Sequence, residues 1–559
     1  MKNTLFYGDN LDVMRRYIAD ETVDLVYLDP PFNSNADYNV LFAEHSGDRA
    51  AAQIKAFEDT WTWDAEAARS FEGIVEGGGL LSETMQALRQ MLGGSNMLAY
   101  LAMMAPRLLE LHRVLRPIGS LFLHCDSTAS HYLKLILDAI FAPLNFRNEI
   151  VWRRATPKGH NTVRFSRAHD VILFYGKSPE SPFKTLYGDL TEEYKESHYS
   201  SIEPVTGRRY QLTSLINPNA NRPNLTYEFP PGSGTVRVWR WTRERMMEAY
   251  ASGQVVVPPG GGVARFKRYL DVQLGMPLTD FWDDIPPINS QAQERLGYPT
   301  QKPEALLRRI LSASAPPGSL VLDPFCGCGT TISVAQQMGL LWIGIDITHL
   351  AIGLIKHRLL SQFGAAISST YQVVGEPVSL PDAESLAADE PFQFQAWALG
   401  LVGARTAQSA KKGADKGIDG NIYFHDDPQA KTKRIILSIK AGQNISVSMV
   451  RDLVGTITRE GAVIGVLISM VSPTGPMLKE AASAGFYTSP MGGKHPKIQI
   501  LTIEELLAGK GIDYPTRSQR ADLTFRKARQ IASDVQALPL SAFIAPDATM
   551  DPEDEEEAE

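Results

Sequence analysis

Two short segments, each an apolar strand that runs directly into Asp-Pro, constrain the fold of this chain more than any other feature. The first is "DLVYLDPPFNS" at residues 24–34, and the second is "LVLDPFCGCGTT" at residues 320–331. An apolar run that stops at an acid and a rigid turn is typical of a buried strand that ends abruptly. Each segment therefore predicts a strand that leaves the core at a carboxylate.

Strands and helices alternate around both segments. Residues 1–45 have the pattern strand, helix, strand, and "GSLFLHCD" and "HDVILFYGKS" predict further strands. The same alternation returns from "YPTQKPEALLRRIL" through "LLWIGIDI" to "THLAIGLIKHRLL". This order predicts an α/β fold with a doubly wound, mostly parallel sheet. Residues 46–95 do not follow the alternation, and we interpret them as an irregular insertion.

Changes in composition predict the domain boundaries. Residues 177–285 lose the alternation and are rich in Pro, Gly, Arg and aromatic residues, whereas 370–392 are acidic and rich in Ser and Ala. A second, smaller α/β pattern begins at 393, and seven of the last nine residues are acids, which predicts a solvated, disordered tail. The predicted parts are 1–365 as the first domain, 366–392 as a linker, 393–535 as the second domain and 536–559 as the tail.

Bulk properties exclude several classes of protein. No stretch approaches the ~18 apolar residues that a membrane helix needs, so we expect no membrane partner. The start of the chain lacks the pattern of a secretory signal. The three cysteines, Cys125, Cys326 and Cys328, are too few for a disulfide framework, which favours the cytoplasm. The net charge of −8 is concentrated in the tail, so it does not argue against nucleic acid as a partner.

The turn after the second Asp-Pro predicts a nucleotide-like ligand. Gly327 and Gly329 follow a strand and precede a helix, which is the switch-point position of a doubly wound sheet. No Lys follows Gly329, so the turn lacks the phosphate grip of a P-loop. Asp346 ends the next strand, where an acid typically binds ribose hydroxyls. A ligand with a ribose and no phosphates fits S-adenosylmethionine better than NAD or ATP.

Four segments together resemble the amino-group DNA methyltransferases. "DPPF" resembles their catalytic tetrapeptide, "DPFCGCGTT" their cofactor loop, "YPTQKPEALLRRIL" the helix before that loop and "FYGDN" the first strand. The catalytic segment precedes the cofactor segment, which is the order of the beta group, including the modification subunits of type III restriction systems. The resemblance implies a Rossmann-like sheet, S-adenosylmethionine as cofactor and double-stranded DNA as substrate. It divides the first domain into a catalytic half (1–176), a target recognition region (177–285) and a cofactor half (286–365).

The resemblance also assigns roles to individual residues. The catalytic tetrapeptide is Asp29, Pro30, Pro31 and Phe32, and the cofactor-binding residues are Asp9, Lys302, Asp323, Phe325, Gly327, Gly329, Thr330 and Asp346. Asp9 would meet the cofactor adenine and Lys302 the methionine end. The alternative for Asp9 is a helix cap, and for Lys302 a surface charge.

The tetrapeptide suits methylation of an exocyclic amine. The lone pair of that amine is delocalised into the base, and two acceptors for its N–H groups would localise it on nitrogen. Asp29 would supply a carboxylate and Pro30 a rigidly held carbonyl, while Phe32 would stack on a base flipped out of the duplex. Cytosine enzymes of the family mostly carry Ser in place of Asp29, so we expect N6 of adenine, with N4 of cytosine as the alternative. Methylation at cytosine carbon needs a cysteine after a proline, and none of the three cysteines fits.

Two basic segments predict contacts with DNA. The first, at 151–167, carries Arg153, Arg154, Lys158, Arg164 and Arg167, which are suitable phosphate contacts. The second, "TVRVWRWTRER" at 235–245, interleaves Arg240 and other arginines with Trp239 and Trp241. It predicts a recognition element, and the alternative is an amphipathic strand whose arginines extend along apolar surface.

The second domain resembles the Mrr-like restriction endonucleases. "KKGADKGIDGNIYF" and "KRIILSIKAGQ" predict a hairpin with Asp419, Ser438 and Lys440 as its candidate nuclease residues. The resemblance implies Mg²⁺ bound through Asp419, but Ser438 stands where Glu or Gln is expected. Asp415, Gln393 or Gln395 could supply the missing ligand, and the alternative is a degenerate nuclease fold. The chain has no ATP-binding signature, so a type III-like system would need a separate translocase subunit. Beta-group enzymes also suggest a homodimer.

Overall fold

The computed structural model describes residues 2–31, 61–155, 165–258, 262–289, 301–407, 417–426 and 432–515, with isolated positions between 292 and 300 and between 521 and 524. The chain forms two compact units, one of Met1–Phe183 with Asp280–Leu540 and one that contains Lys184–Thr279. In the described part of the chain, no helix is both long and apolar enough to cross a membrane.

The described residues in the N-terminal part of the first unit form five strands and five α-helices. The strands are β1 (Asn3–Tyr7), β2 (Val23–Leu28), β3 (Leu115–Cys125), β4 (Phe146–Arg153) and β5 (His169–Gly176). The helices are α1 (Asn10–Tyr17), α2 (Ala65–Gly77), α3 (Gly79–Leu92), α4 (Asn96–Val114) and α5 (Ser130–Phe141). Residues of α2, α3, α4 and α5 pack on one face of the sheet in a single apolar cluster. The prediction of an irregular insertion over 46–95 is therefore wrong for the described residues 65–92, which form helices with apolar faces.

The described residues of the second unit form short antiparallel strands and two α-helices. Its helices are α6 (Glu192–His198) and α7 (Arg243–Ala251), and its strands are β6 (Tyr187–Gly188), β7 (Ser201–Ile202), β8 (Arg209–Ser214), β9 (Thr226–Glu228), β10 (Val236–Val238), β11 (Val255–Val256), β12 (Arg265–Tyr269) and β13 (Met276–Pro277). The largest sheet of this unit has the order β11-β12-β8-β7. Trp239 and Trp241 lie in its apolar core with Phe229 and Met246, so these tryptophans pack inside the unit rather than on its surface.

The chain then returns to the first unit. The strands are β14 (Phe281–Trp282), β15 (Leu320–Asp323), β16 (Leu341–Asp346) and β17 (Tyr371–Val374), and the helices are α8 (Glu304–Ser314), α9 (Thr330–Gln337) and α10 (His349–Phe363). They complete a nine-stranded sheet of order β14-β4-β5-β3-β2-β15-β16-β1-β17. Every neighbouring pair is parallel except those of β5, which runs antiparallel to β3 and β4. The predicted α/β class and mostly parallel sheet are therefore confirmed.

The register of this sheet decides where the two Asp-Pro segments meet. β2 and β15 are parallel neighbours, with Leu25 opposite Val321 and Val26 opposite Leu322. Both strands therefore end at the same edge of the sheet, beside the ends of β16 and β1. In open parallel sheets, ligands bind at this carboxyl edge.

The C-terminal part of the first unit is a second, smaller α/β domain. Its helices are α11 (Leu380–Asp389), α12 (Pro391–Leu401), α13 (Val447–Glu460), α14 (Gly475–Ser483) and α15 (Ile503–Leu507). Its strands are β18 (Arg405–Thr406), β19 (Gly420–His425), β20 (Lys433–Lys440), β21 (Ile464–Ser469), β22 (Phe486–Thr488), β23 (Lys494–Pro496), β24 (Ile498–Thr502) and β25 (Ala521–Asp522). The main sheet has the order β18-β19-β20-β21-β24, and β25 pairs with β19. Two apolar clusters form the domain core.

The structure corrects the interpretation of 366–392 as a linker. β17 pairs with β1 at the edge of the nine-stranded sheet, so the first domain extends beyond residue 365. Helix α11 places Ala383 in the core of the second domain, so that domain begins before residue 393. The acidic, Ser- and Ala-rich composition suggested a linker because the few apolar residues that pack here are widely spaced.

Candidate active site

The carboxyl edge of the sheet contains a cavity of about 240 Å³. It is lined by most of the predicted catalytic and cofactor-binding residues, although they come from the ends of four strands, the loops that follow them and the segment before α8. The predicted residues in its lining are Asp9, Asp29, Pro30, Pro31, Lys302, Asp323, Phe325, Gly327, Thr330 and Asp346. Phe32 lies outside the described residues. The structure thus brings the two Asp-Pro turns into one site.

Asp29 has one carboxylate oxygen paired and one unpaired. Its Oδ2 accepts a hydrogen bond from Lys302 Nζ, and both side chains are mostly buried. Its Oδ1 is buried and accepts no hydrogen bond from any residue that the structure describes. A buried acceptor without a donor is costly, so Oδ1 is a point where a ligand donor would be stabilised. That Lys302 meets the methionine end of a cofactor stays a prediction.

Hydrogen bonds from the backbone shape the loop after β15. The Phe325 N–H donates to Asp323 Oδ1 at 3.1 Å, and the Gly327 N–H donates to Asp346 Oδ2 at 3.0 Å. Burial raises the pKa of the Asp323 carboxyl to about 7 and that of the Asp346 carboxyl to about 6. The two carboxylates are therefore held close to backbone donors in a largely dry site.

Gly329 supports this loop from behind rather than lining the cavity. Its backbone is left-handed, with φ of 73°. A Cβ atom here would lie 2.7 Å from Ile355 Cγ1 on α10. Glycine is therefore required at this position both by conformation and by space.

A buried ion pair that sequence reasoning missed holds the same loop. Arg358 on α10 donates to Glu304 Oε1 at 2.7 Å, and its other terminal nitrogen donates to the Cys328 carbonyl oxygen at 3.2 Å and to Thr330 Oγ1 at 3.1 Å. Arg358 is almost fully buried. An arginine in a helical stretch does not by itself indicate burial, and the one local signal was its place on the helix that follows Asp346.

Asp9 has a structural role in addition to its place in the cavity wall. It caps α1 by accepting from the Leu11 and Asp12 N–H groups. Its Oδ2 also accepts from Arg107 at 2.6 Å. The cap that the sequence offered as the alternative is therefore present, while contact with an adenine ring stays a prediction.

The predicted DNA contacts fall into several environments. Lys158 and Arg164 lie outside the described residues. Arg153 is exposed, whereas Arg154 forms an ion pair with the buried Asp170 at 3.1 Å. Arg240 is half-buried and its Nε donates to the Ile216 carbonyl oxygen. DNA binding by these residues stays a prediction.

The candidate nuclease residues meet on the hairpin of β19 and β20. Asp419 Oδ1 accepts from Gln395 Nε2 at 2.5 Å, and Oδ2 accepts from the Ile439 N–H at 2.6 Å. Ser438 is buried and Lys440 half-buried. Among described residues no group of three His, Cys, Asp or Glu side chains is placed to hold a metal, and Asp415 lies outside them. Mg²⁺ binding through Asp419 therefore stays a prediction.

Helix α12 connects this hairpin to the first domain. Gln393 Oε1 accepts from the His349 N–H at 3.1 Å, at the start of α10. Gln395, on the same helix, is the residue bonded to Asp419. Of the two glutamines that the sequence offered as substitutes for the missing ligand, only Gln395 reaches the hairpin.

Comparison with known proteins agrees with this architecture. Residues 23–357, more than half of the chain, match the family described as DNA methylase, and residues 388–507 match the family described as restriction endonuclease. The StyLTI Mod subunit, a type III restriction-modification enzyme of Salmonella typhimurium, is 27% identical over 353 residues, which cover 60% of this chain and 50% of that protein. The chain thus spans about half the length of this relative.

Two further relatives match the same region. The type II methyltransferase M.EcaI of Enterobacter cloacae is 26% identical over 364 residues, covering 64% of this chain and 69% of the relative. The DNA adenine methyltransferase YhdJ of Escherichia coli is 24% identical over 366 residues, which cover 65% of this chain and 85% of that protein. The chain therefore belongs to the DNA methylase family, with a restriction-endonuclease domain of the Mrr type after the methylase domain.

Proposed function

We propose that this protein transfers a methyl group from S-adenosylmethionine to the exocyclic N6 of adenine in double-stranded DNA, as part of a restriction-modification or defence system. The proposal is carried by Asp29, which lines the cavity. Its Oδ1 is buried and accepts no hydrogen bond from any residue that the structure describes. An amine N–H is the complementary group, and a charge-assisted hydrogen bond of this kind contributes about 1.5–3 kcal/mol.

The residues around the loop after β15 fit the proposed cofactor. A Cβ atom on Gly327 would lie 3.3 Å from the Tyr298 ring, so only a bare backbone leaves room beside that ring. Asp346 is oriented by Gly327 and Thr348, with acceptor capacity left for ribose hydroxyls. When bound, S-adenosylmethionine would supply an electrophilic methyl group.

The chain's own residues would prepare the amine. Lys302 donates to Asp29 Oδ2 and so fixes the orientation of a carboxylate in the cavity wall. Asp29 Oδ1 and the Pro30 carbonyl oxygen would accept the two N–H groups, which localises the lone pair on nitrogen. Because both acceptors are fixed before the base arrives, little reorganisation is needed during the reaction.

Two lines of support favour adenine. The tetrapeptide begins with Asp29, where the cytosine enzymes of the resembled family mostly carry Ser, and one relative is named a DNA adenine methyltransferase. Another relative is named a Mod subunit, and we propose by analogy that a separate restriction or translocase subunit is a partner. A homodimer is a further prediction, which light scattering on the purified chain would test.

The proposal is tested with tritiated S-adenosylmethionine and unmethylated genomic DNA. Wild type should label the DNA, and nucleoside analysis should find N6-methyladenine. Asp29→Ala should lose at least about 10²–10³-fold of the rate, since it removes a fixed acceptor from the site. Asp20→Asn is the matched control, because Asp20 is exposed and precedes the opposite end of β2. Labelling by Asp29→Ala at the wild-type rate would refute the role of Asp29, and N4-methylcytosine would establish the alternative base.

DNA cleavage by the second domain is a second candidate function. It is supported by the match to the restriction-endonuclease family and by the contact of Gln395 on α12 with Asp419, on the hairpin that also carries Lys440. The described residues supply one carboxylate, where a Mg²⁺ site needs more oxygen ligands, so we derive no metal step.

A plasmid assay separates cleavage from binding alone. Supercoiled unmethylated plasmid is incubated with Mg²⁺ and wild type, Asp419→Asn or Lys440→Met. Faster nicking by wild type than by both variants would support a nuclease. Equal nicking, together with retention of DNA in a gel-shift assay, would identify a nuclease fold that only binds DNA.

A further inference from the structure

Three polar side chains form a continuous chain across neighbouring strands of the nine-stranded sheet. Tyr27 on β2 and His124 on β3 are joined by a hydrogen bond of 3.0 Å between Oη and Nδ1. His124 Nε2 lies 3.2 Å from Oδ2 of Asp170 on β5. The three residues are 2%, 0% and 2% exposed, so the chain is inside the sheet.

The surroundings of these three hydrogen-bonded side chains are apolar. Tyr27 belongs to a buried cluster that includes Phe122, Phe174 and Trp152, and the Trp152 ring lies edge-on to the His124 ring at 5.7 Å. Burying polar groups in such a place costs free energy unless they are hydrogen-bonded to each other. A sheet that needed only packing would have apolar residues at these positions.

The charge of Asp170 sets the direction of the hydrogen bonds. Burial raises the pKa of its carboxyl, but the hydrogen bond from His124, the charge of His124 when it is protonated, and the charges of Lys302 and Arg154 lower that pKa more, so the net shift is downward. Asp170 is therefore a carboxylate and accepts from His124 Nε2–H. We assign the lone pair of neutral His124 to Nδ1, which then accepts the Tyr27 hydroxyl hydrogen.

Tyr27, at the other end of the three hydrogen-bonded side chains, reaches the active-site cavity. Tyr27 lies near the end of β2, two positions before Asp29, and both residues line the cavity. Burial, followed by the charges of Asp29 and Asp323, raises the pKa of the Tyr27 hydroxyl, which keeps it protonated. The hydroxyl hydrogen is directed at His124, so an oxygen lone pair is available on the cavity side.

We propose that Tyr27 is a further active-site residue, that His124 receives through it the proton lost by the methylated amine, and that Asp170 is a positioning residue. This proposal rests on the proposed methyltransferase function. When the amine nitrogen forms its bond to the methyl carbon, the carbon–sulfur bond breaks and the nitrogen is left with one proton in excess. That proton passes to Tyr27 Oη in the cavity wall as the nitrogen–carbon bond forms, while the hydrogen of Tyr27 moves to His124 Nδ1.

The products of this step balance without a further reactant. Tyr27 again carries one hydroxyl hydrogen, the methylated amine is neutral, and His124 is an imidazolium between Tyr27 and the Asp170 carboxylate. Asp170 stabilises this cation. Arg154, whose side chain is 39% exposed, pairs with Asp170 Oδ1 and is the charged group beside the Asp170 end of the three hydrogen-bonded side chains.

Tyr27→Phe is the first test, because it removes the hydroxyl and keeps the ring. The single-turnover rate of methylation should fall at least about 100-fold, as for loss of a general base, while the affinity for S-adenosylmethionine measured by calorimetry stays unchanged. Tyr175→Phe is the matched control, since Tyr175 is a buried tyrosine on β5 whose hydroxyl donates to Asp138, outside the site. A wild-type rate for Tyr27→Phe would overturn the proposal.

His124→Gln separates proton uptake from positioning. A glutamine side chain can accept from Tyr27 and donate to Asp170, but it cannot take up a proton. The rate should therefore fall as far as in Tyr27→Phe, and the solvent isotope effect on the single turnover should change in both variants. Recovery of the wild-type rate in His124→Gln would show that the chain only positions Tyr27, which overturns proton uptake.

A measurement without turnover tests the starting state. In protein labelled with ¹⁵N-histidine, the signal that disappears in His124→Gln should show the neutral form protonated at Nε2. An imidazolium or the other tautomer would overturn the assignment. This readout does not depend on methylation. A wild-type protein that has the expected tautomer but does not methylate DNA would refute the proposed function. A wild-type protein that methylates DNA no faster than Tyr27→Phe would refute only this inference.

Discussion

Gly329→Ala is the substitution whose effect on the cofactor loop can be worked out most directly. The residue has φ of 73° and ψ of 36°, and a left-handed conformation costs a residue with a Cβ atom about 1–2 kcal/mol. The new Cβ would also lie 2.7 Å from Ile355 Cγ1, and overpacking of this kind costs about 1–3 kcal/mol. We therefore expect a loss of about 2–5 kcal/mol of stability in the methylase sheet.

Hydrogen exchange read by mass spectrometry is the appropriate assay, because a chain with several domains does not give one unfolding free energy. Amides of β15 and β16, which flank the loop, should exchange about 30-fold to several thousand-fold faster in Gly329→Ala than in wild type. Amides of β20 and β21 in the second domain serve as the internal reference.

Gly353→Ala is the matched control on the helix that carries Ile355. No atom lies within 4 Å of a Cβ built at Gly353, and alanine is favoured over glycine inside a helix by about 1 kcal/mol. This variant should exchange no faster than wild type. An Ile355→Ala background removes the clash with Ile355 Cγ1. There, Gly329→Ala should cost only the about 1–2 kcal/mol of the left-handed conformation. An unchanged exchange rate in Gly329→Ala, or equal damage from Gly353→Ala, would contradict the reasoning.

Three more predictions concern other parts of the molecule. Arg358→Met should cost about 3–5 kcal/mol because it leaves the Glu304 carboxylate buried and unpaired, and denaturation of the double variant Glu304→Met/Arg358→Met should show most of that loss recovered. Because the pKa of Asp323 is raised to about 7 in the folded protein, wild type loses stability as the pH rises from about 4 to about 7. Asp323→Asn does not titrate there, so its stability relative to wild type should increase over that interval, and a pH-independent difference would count against the raised pKa. Trp239→Ala should destabilise the second unit by about 3–5 kcal/mol as a core truncation, whereas Arg237→Ala should leave unfolding unchanged and reduce the salt slope of DNA binding by about 1.

The sheet and the positions of its strand ends were largely predictable, because the signals are local. An apolar run followed by Asp-Pro marks the end of a strand whether or not the rest of the chain is known, and the alternation with helices predicts parallel neighbours. The same local reasoning failed at 65–92 and 366–392. There acids, glycines and small residues interrupt the apolar residues, which are recognisable as core only when the partner they pack against is known.

The tryptophans of the 235–245 segment are another case in which the local sequence did not decide whether side chains are buried or exposed. Arginines alternating with tryptophans indicate either a nucleic-acid surface or an amphipathic strand, and periodicity alone does not separate the two. The structure buries Trp239 and Trp241 in the core of the second unit. Burial depends on what covers a residue, and that information is not contained in the segment itself.

The sequence by itself determined the fold class, the order of the catalytic and cofactor segments, and the residues at the ends of β2, β15 and β16. Only the tertiary structure decided which of them touch. Lys302 reaches Asp29 across 273 positions of the chain, and His124 connects Tyr27 to Asp170 through hydrogen bonds spanning 97 and 46 positions. Strand ends follow from local turn chemistry, whereas these pairs depend on the lateral order and register of the strands, which arise only when the whole sheet has formed.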